Sequence, residues 1–432
     1  MRRTSASEII AAVIGLLMLI NGAQRSIPTT FNRVLIIKAE LIQAFLIIGG
    51  ILLIGFALFS YMNETSLTKQ YRKVVQNLAL LVVVSIVCGI ILEVFLQLNP
   101  IESCKQSDAL IDHSYAPNCE AQFKSSEWST NVKINSYGLR DEEPNSNAEL
   151  KILVLGDSFT WGYGVEHNET YTELMQNQLT KQRKQSIDVI NAGATSYSPA
   201  LQYLYLKNRG KEFKPDIIIM NFDMSDVQDD YIRENDGIIE NNEIVAVPAP
   251  NINPSFFYKI RSNIQITRFA DVIFKLIDAI LPKSTEINNA PMYNIKTDRY
   301  GITRFEQIND EQLHWNRTLS YIKKTSELSK QLNATFILTT YPYGHQISEI
   351  EWSDGRTLYG FEQNKIYSDR AEKVLAQFAK DNNIIFIPTF AKFKQSKISP
   401  KYFAYDGHFT PQGHEVMADV LVDGLKEKKV LS

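Results

Sequence analysis

The chain lacks a surplus of charge of either sign. Its 432 residues carry 45 Lys and Arg against 48 Asp and Glu, a formal net charge of −3. A protein that grips nucleic acid through its phosphates needs a basic field, so that class is excluded. No internal repeat is present, and no small-x-small site isolated by polar sequence follows the first apolar run. A cleaved signal peptide is therefore not expected, despite Arg2 and Arg3. Cysteine is scarce, with three in all.

What is abundant is apolar sequence near the amino terminus. Ile9–Ile20 is a pure apolar run, Leu41–Met62 is interrupted before Ser60 only by Gln43, and Leu78–Leu96 carries only Ser85, Cys88 and Glu93. A helix crosses the hydrocarbon layer with about 20 apolar residues, which the second and third runs reach and the first approaches. Residues 1–98 therefore read as a membrane anchor of about three transmembrane helices, with the lipid bilayer as a partner. With the amino terminus inside, Arg2, Arg3, Lys69, Arg72 and Lys73 are cytoplasmic, whereas Arg25, Arg33 and Lys38 run against the rule. Cys104 and Cys119 lie just beyond the third run. They are either a disulfide closing a short loop, which needs an oxidising compartment, or two reduced thiols. Charge and cysteine together lean toward an extracytoplasmic location for everything after Leu98.

After a lead-in at 99–148 the pattern changes. Short apolar runs at Lys151–Leu155, Asp188–Asn191, Asp216–Phe222, Thr335–Tyr341 and Ile384–Pro388 read as strands. Amphipathic stretches at Tyr171–Arg183, Pro199–Asn208, Asp310–Leu332, Glu362–Lys380 and Pro411–Lys426 read as helices. Strands apolar on both faces that alternate with helices predict a doubly wound parallel α/β domain over 149–432. Its site is expected at the carboxyl ends of the strands. An insertion near 233–304 interrupts it.

Ser158, in GDSFT, follows the first of these strands, where it is a nucleophile or only a helix cap. A serine needs a base, and the base a carboxylate. YDGHFTPQGH supplies both. Thr410 and Pro411 start the last helix, leaving Asp406 and His408 in the loop before it. Two apart in an extended loop, they share a side, so Asp406 can orient His408 toward Ser158. His414, inside the helix, is the competing histidine. Asp223, Asp226, Asp229 and Asp230 read as loop polarity and helix capping, so no metal and no cofactor is expected. Tyr341, Tyr343, His345 and Trp352 are either a platform for a sugar ring or an ordinary aromatic loop.

GDSFT, the Gly193 of NAGATSYS and DGHFTPQGH together resemble the SGNH hydrolases, the GDSL-like esterases, over roughly Ser136 to the carboxyl terminus. NSYGLRDEE, Asn135–Glu143, is like the lead-in of membrane-attached bacterial members. The resemblance implies a three-layer, flavodoxin-like α/β/α fold on a bacterial inner membrane. It makes Ser158 the nucleophile, His408 the base and Asp406 its orienter. The backbone N–H groups of Ser158 and Gly193 would hold the oxyanion. The family's Gly-x-Asn-Asp is Asp223-Met224-Ser225-Asp226 here, so Ser225 stands where the oxyanion asparagine is expected, and Asp-x-His replaces Asp-x-x-His. The implied activity is hydrolysis or transfer of an acyl group, acetyl foremost, on a glycan or small ester. A transferase would also need an acyl-donor membrane protein. The competing reading is a non-catalytic module that binds a glycan or partner in an envelope assembly.

Overall fold

The computed structural model describes residues 104–240, 243–249, 298–307 and 310–431. These all belong to one compact unit. The three expected transmembrane segments, and most of the expected insertion, lie outside the described residues. Among the described residues no helix is long and apolar enough to cross a membrane.

The strands are, in chain order, β1 Lys105–Ser107, β2 His113–Tyr115, β3 Glu120–Lys124, β4 Ser129–Lys133, β5 Leu150–Gly156, β6 Ile187–Gly193, β7 Ile217–Phe222, β8 Ile238–Glu240, β9 Glu243–Ala246, β10 Thr335–Thr340 and β11 Ile385–Ile387. Five of them form one parallel sheet in the order β11-β10-β7-β5-β6. Every residue of β7 is buried, as are Ile152–Gly156 of β5. Helices cover both faces, which is why these strands carry no polar alternation. Tyr171–Arg183 packs with Pro411–Glu427, and Glu311–Gln331 packs with Pro199–Asn208 and Asp226–Asp236. The architecture is the doubly wound α/β fold expected.

Register decides what meets at the carboxyl edge. Gly156 pairs with Gly193, Leu155 with Met220, and Phe222 with Thr340. The residues that follow these strands therefore emerge together: Asp157 and Ser158 after β5, Asp223 after β7, Tyr341 after β10. Neighbouring parallel strands are about 4.8 Å apart, so side chains from three distant segments come within contact range.

The lead-in is not a bare linker. β1–β2 and β3–β4 are antiparallel hairpins, and Cys104 and Cys119 are joined by a disulfide. Ile111, Phe123, Val132 and Ile134 enter the main core. Tyr115 stacks on Trp161 with ring centroids 5.4 Å apart. Two further boundaries differ from expectation. The helix expected at Glu362–Lys380 begins only at Arg370. Long-range bonds hold the preceding stretch in a loop, with the Tyr367 N–H on the His345 carbonyl at 2.8 Å and the Ser368 N–H on the Thr303 carbonyl at 2.9 Å. The stretch read as an insertion from Arg233 starts inside a helix, which continues to Asp236 and is followed by the β8–β9 hairpin.

Candidate active site

Asp157, not Ser158, caps the short helix Ser158–Trp161: its carboxylate accepts the Phe159 N–H at 3.0 Å. The Ser158 hydroxyl is thereby left for another partner. His408 Nε2 lies 2.8 Å from Ser158 Oγ, and His408 Nδ1 is hydrogen-bonded to Asp406 Oδ1. Sequence separations of 250 and 2 residues thus close into one relay. All three side chains are half-buried.

The loop that carries the histidine is shaped by Gly407, at φ 89°, where a Cβ would lie 2.5 Å from the Trp352 indole nitrogen. Only glycine takes that position without strain. The Trp352 indole donates to the Tyr405 carbonyl at 3.1 Å, and the Phe403 N–H to the His408 carbonyl at 3.0 Å. The imidazole is sandwiched by Phe159 and Tyr163, with centroids 4.8 and 4.9 Å away. Burial pushes the Asp406 carboxyl up, but its hydrogen bond from His408 and the charge of that ring outweigh burial and hold it below the ordinary range. It is therefore ionised and able to orient an imidazole.

His414, the competing histidine, is fully buried in the last helix. Its Nδ1 accepts the Tyr171 N–H at 3.1 Å, and burial pushes it down to about 3. It is a neutral packing residue.

Beneath the serine lies a cluster of buried acids. Tyr341 donates to Asp157, and Tyr343 donates to Asp223 at 3.4 Å. Burial, and then the charge of Asp223, push Asp157 up to about 7. Burial raises Asp223 as well, and Asp226 further, with Asp223 adding to the second shift. Asp230 accepts the Ala200 N–H at 2.9 Å, and Asp229 pairs with Arg299 at 3.0 Å. Each of the four aspartates has at least one partner within the protein, while Asp223 Oδ2 and Asp230 Oδ2 have none among the described residues. Tyr341, Tyr343, His345 and Trp352 are all buried, at no more than 6 % exposure. That excludes them as an open platform for a sugar ring.

Two expected oxyanion donors are committed elsewhere. The Gly193 N–H donates to Asn191 Oδ1 at 3.0 Å, and a Cβ at Gly193 would lie 2.4 Å from the Trp161 nitrogen. Gly193 is needed because the helix after the serine crosses it closely. The Ser225 hydroxyl sits between the Asp223 and Asp229 carboxylates and accepts from Arg299 at 3.3 Å, with Ser225 itself only 2 % exposed. Ser196 adopts a left-handed backbone, φ 62°, in the turn after β6. A left-handed, non-glycine residue is a sign of local constraint that sequence does not display.

Such a relay at the carboxyl edge of a doubly wound sheet is the arrangement of a serine hydrolase. The sequence profile of the GDSL-like Lipase/Acylhydrolase family matches residues 152–421, and the chain belongs to that family. It is a hydrolase of ester bonds. No curated protein matches it by sequence. Similar solved structures include TesA, at 12 % identity over 64 % of this chain and 98 % of that one. An acetylxylan esterase from Geobacillus stearothermophilus matches at 15 % over 64 % and 94 %. LAE5, an alpha/beta hydrolase from the metagenome of Lake Arreo, Spain, matches at 13 % over 65 % and 96 %. All three have TM-scores of 0.35, and they add nothing to the family assignment.

Proposed function

We propose that the chain is a membrane-anchored serine esterase, facing away from the cytoplasm, that acts on acyl esters of a glycan or small alcohol, acetyl esters foremost. The observation that carries the reading is His408, bonded at one nitrogen to Asp406 and at the other to Ser158. His408 Nε2 takes the hydroxyl proton as Ser158 Oγ attacks the ester carbonyl. The tetrahedral oxyanion then collapses, the alcohol leaves with that proton, and water resolves the acyl-serine by the same route. Asp406 keeps the imidazole in the tautomer that presents Nε2 as acceptor. The oxyanion is held by the backbone N–H group of Ser158. The Gly193 N–H and the Ser225 hydroxyl are spent on other partners. The apolar runs of residues 1–98 supply the anchor, and the disulfide supports an oxidising compartment.

The test is labelling of the full-length chain in detergent with an organophosphonate serine probe, followed by acetate release from O-acetylated glycans and small esters. Wild type should label at Ser158. Ser158→Ala and His408→Ala should lose about 10⁴-fold or more in turnover. A folded wild-type chain that neither labels nor releases acetate would establish the non-catalytic module instead. Acetate release that falls when a hydroxyl acceptor is added, with the acetylated acceptor formed in its place, would move the reading from hydrolysis to transfer.

A further inference from the structure

A second group of reactive side chains lies apart from the relay, on the β6 side of the sheet. Asp141 comes from the lead-in, His167 from the 3₁₀ turn His167–Glu169, and Glu173 from the first turn of the helix Tyr171–Arg183. One ligand atom from each lies within 4.8 Å of the other two. His167 Nε2 is 3.8 Å from Asp141 Oδ1 and 3.8 Å from Glu173 Oε2. Those distances are too long for hydrogen bonds. Both ring nitrogens of His167 are inaccessible to solvent and have no hydrogen-bond partner among the described residues. A half-buried imidazole whose shielded nitrogens face two carboxylates without bonding to either needs an explanation.

A metal ion supplies one. Two ligands about 2.1 Å from a tetrahedral ion are about 3.4 Å apart, so each imidazole–carboxylate distance of 3.8 Å closes on an ion with a shift of a few tenths of an ångström. One imidazole and two carboxylates suit a borderline divalent ion of the zinc class, with water completing the shell. We propose that Asp141, His167 and Glu173 bind one divalent transition-metal ion that clasps the lead-in to the first crossover of the sheet.

The surroundings agree. Asp141 Oδ2 accepts the Asn191 N–H at 2.8 Å, and Glu173 Oε1 accepts from Asn177 at 3.0 Å. Each carboxylate is thus oriented by a second partner, as ligating carboxylates usually are. The charges facing the site are acidic: Asp188 acts on Asp141, and Glu142 on His167. Arg140, a cation that acts on His167, is turned onto the carbonyls of Trp161, Gly162 and Val165. Through Asn191, which also donates to the Thr160 carbonyl at 2.8 Å, the clasp braces the helix that carries Ser158. The ion takes no part in the ester chemistry.

The test uses the full-length chain in detergent, stripped with a chelator and titrated calorimetrically with Zn²⁺ alone and with Mn²⁺ alone, with the melting temperature read in parallel. Wild type should take up one equivalent and melt at a higher temperature. His167→Ala and Glu173→Gln should each weaken uptake about 100-fold or more and abolish the shift. Should metal-free His167→Ala not melt cooperatively, Glu173→Gln, of equal volume, carries the test. A wild-type chain that binds neither ion, or variants that bind as tightly as wild type, would overturn the proposal.

Discussion

Glu127, at the turn of the β3–β4 hairpin, accepts the backbone N–H of Asp406 at 2.7 Å and that of Tyr405 at 3.0 Å. A lead-in residue 279 positions away thereby holds the loop that presents the histidine. The same hairpin is anchored by Phe123 against Trp161, with centroids 5.5 Å apart. The helix after the serine and the loop before the last helix are thus gripped by one structure that lies outside the repeating β–α pattern.

Removing that grip should slow the chemistry without touching it. Glu127→Ala is expected to lower kcat on a small acetyl ester by about 10- to 100-fold with little change in KM, because positional errors of about an ångström cost that much. Glu127→Gln retains an acceptor oxygen and should fall between Ala and wild type. An unchanged kcat in Glu127→Ala would show that the loop holds its shape alone.

Ser225 gives the opposite expectation. A true oxyanion donor costs about 10²- to 10³-fold when removed. The Ser225 hydroxyl is already bound by Asp223 and Asp229, so Ser225→Ala should lower kcat by less than about 10-fold. Ser225→Asn should not raise it, because the larger amide enters a site that is 2 % exposed. Steady-state kinetics on p-nitrophenyl acetate decides; a 100-fold loss in Ser225→Ala would return the residue to the oxyanion.

The buried acids predict how stability depends on pH. Asp157 and Asp230 are each pushed from an ordinary 3.8 up to about 7, mainly by burial. Between those values the folded chain holds protons that the unfolded chain has released. Their contribution is therefore complete below about pH 4 and is lost as pH rises through about 7. Asp406, held low, works the other way and withdraws its contribution only as pH falls below the ordinary carboxylate range. Relative to wild type, Asp157→Asn should lose less melting temperature, or gain more, between pH 5 and pH 8, because the Asp157 share of the loss is removed. Thermal melts of wild type and variant across that range check it; parallel curves would refute the assignment to Asp157.

By itself the sequence determined the layers and the relay. Tyr171–Arg183 and Pro199–Asn208 have the expected bounds, and the apolar strands announce a covered sheet, because periodicity and apolar content act locally along the chain. Ser158, Asp406 and His408 are legible for a related reason: each sits in a short segment beside a residue that marks an element's boundary, Gly156 at the end of a strand and Pro411 at the start of the last helix. What only the tertiary structure decided is which polar group each side chain spends itself on. Gly193 turns its N–H to Asn191, Ser225 gives its hydroxyl to aspartates on its own loop, and Tyr341 and Trp352 vanish into the interior. Glu127, Ser196 and the Asp141–His167–Glu173 group carry no local signature at all. Hydrogen bonds and ligand sites are satisfied across space by whatever partner the packing brings near, and strand register and loop docking, not neighbourhood in the chain, set which partner that is.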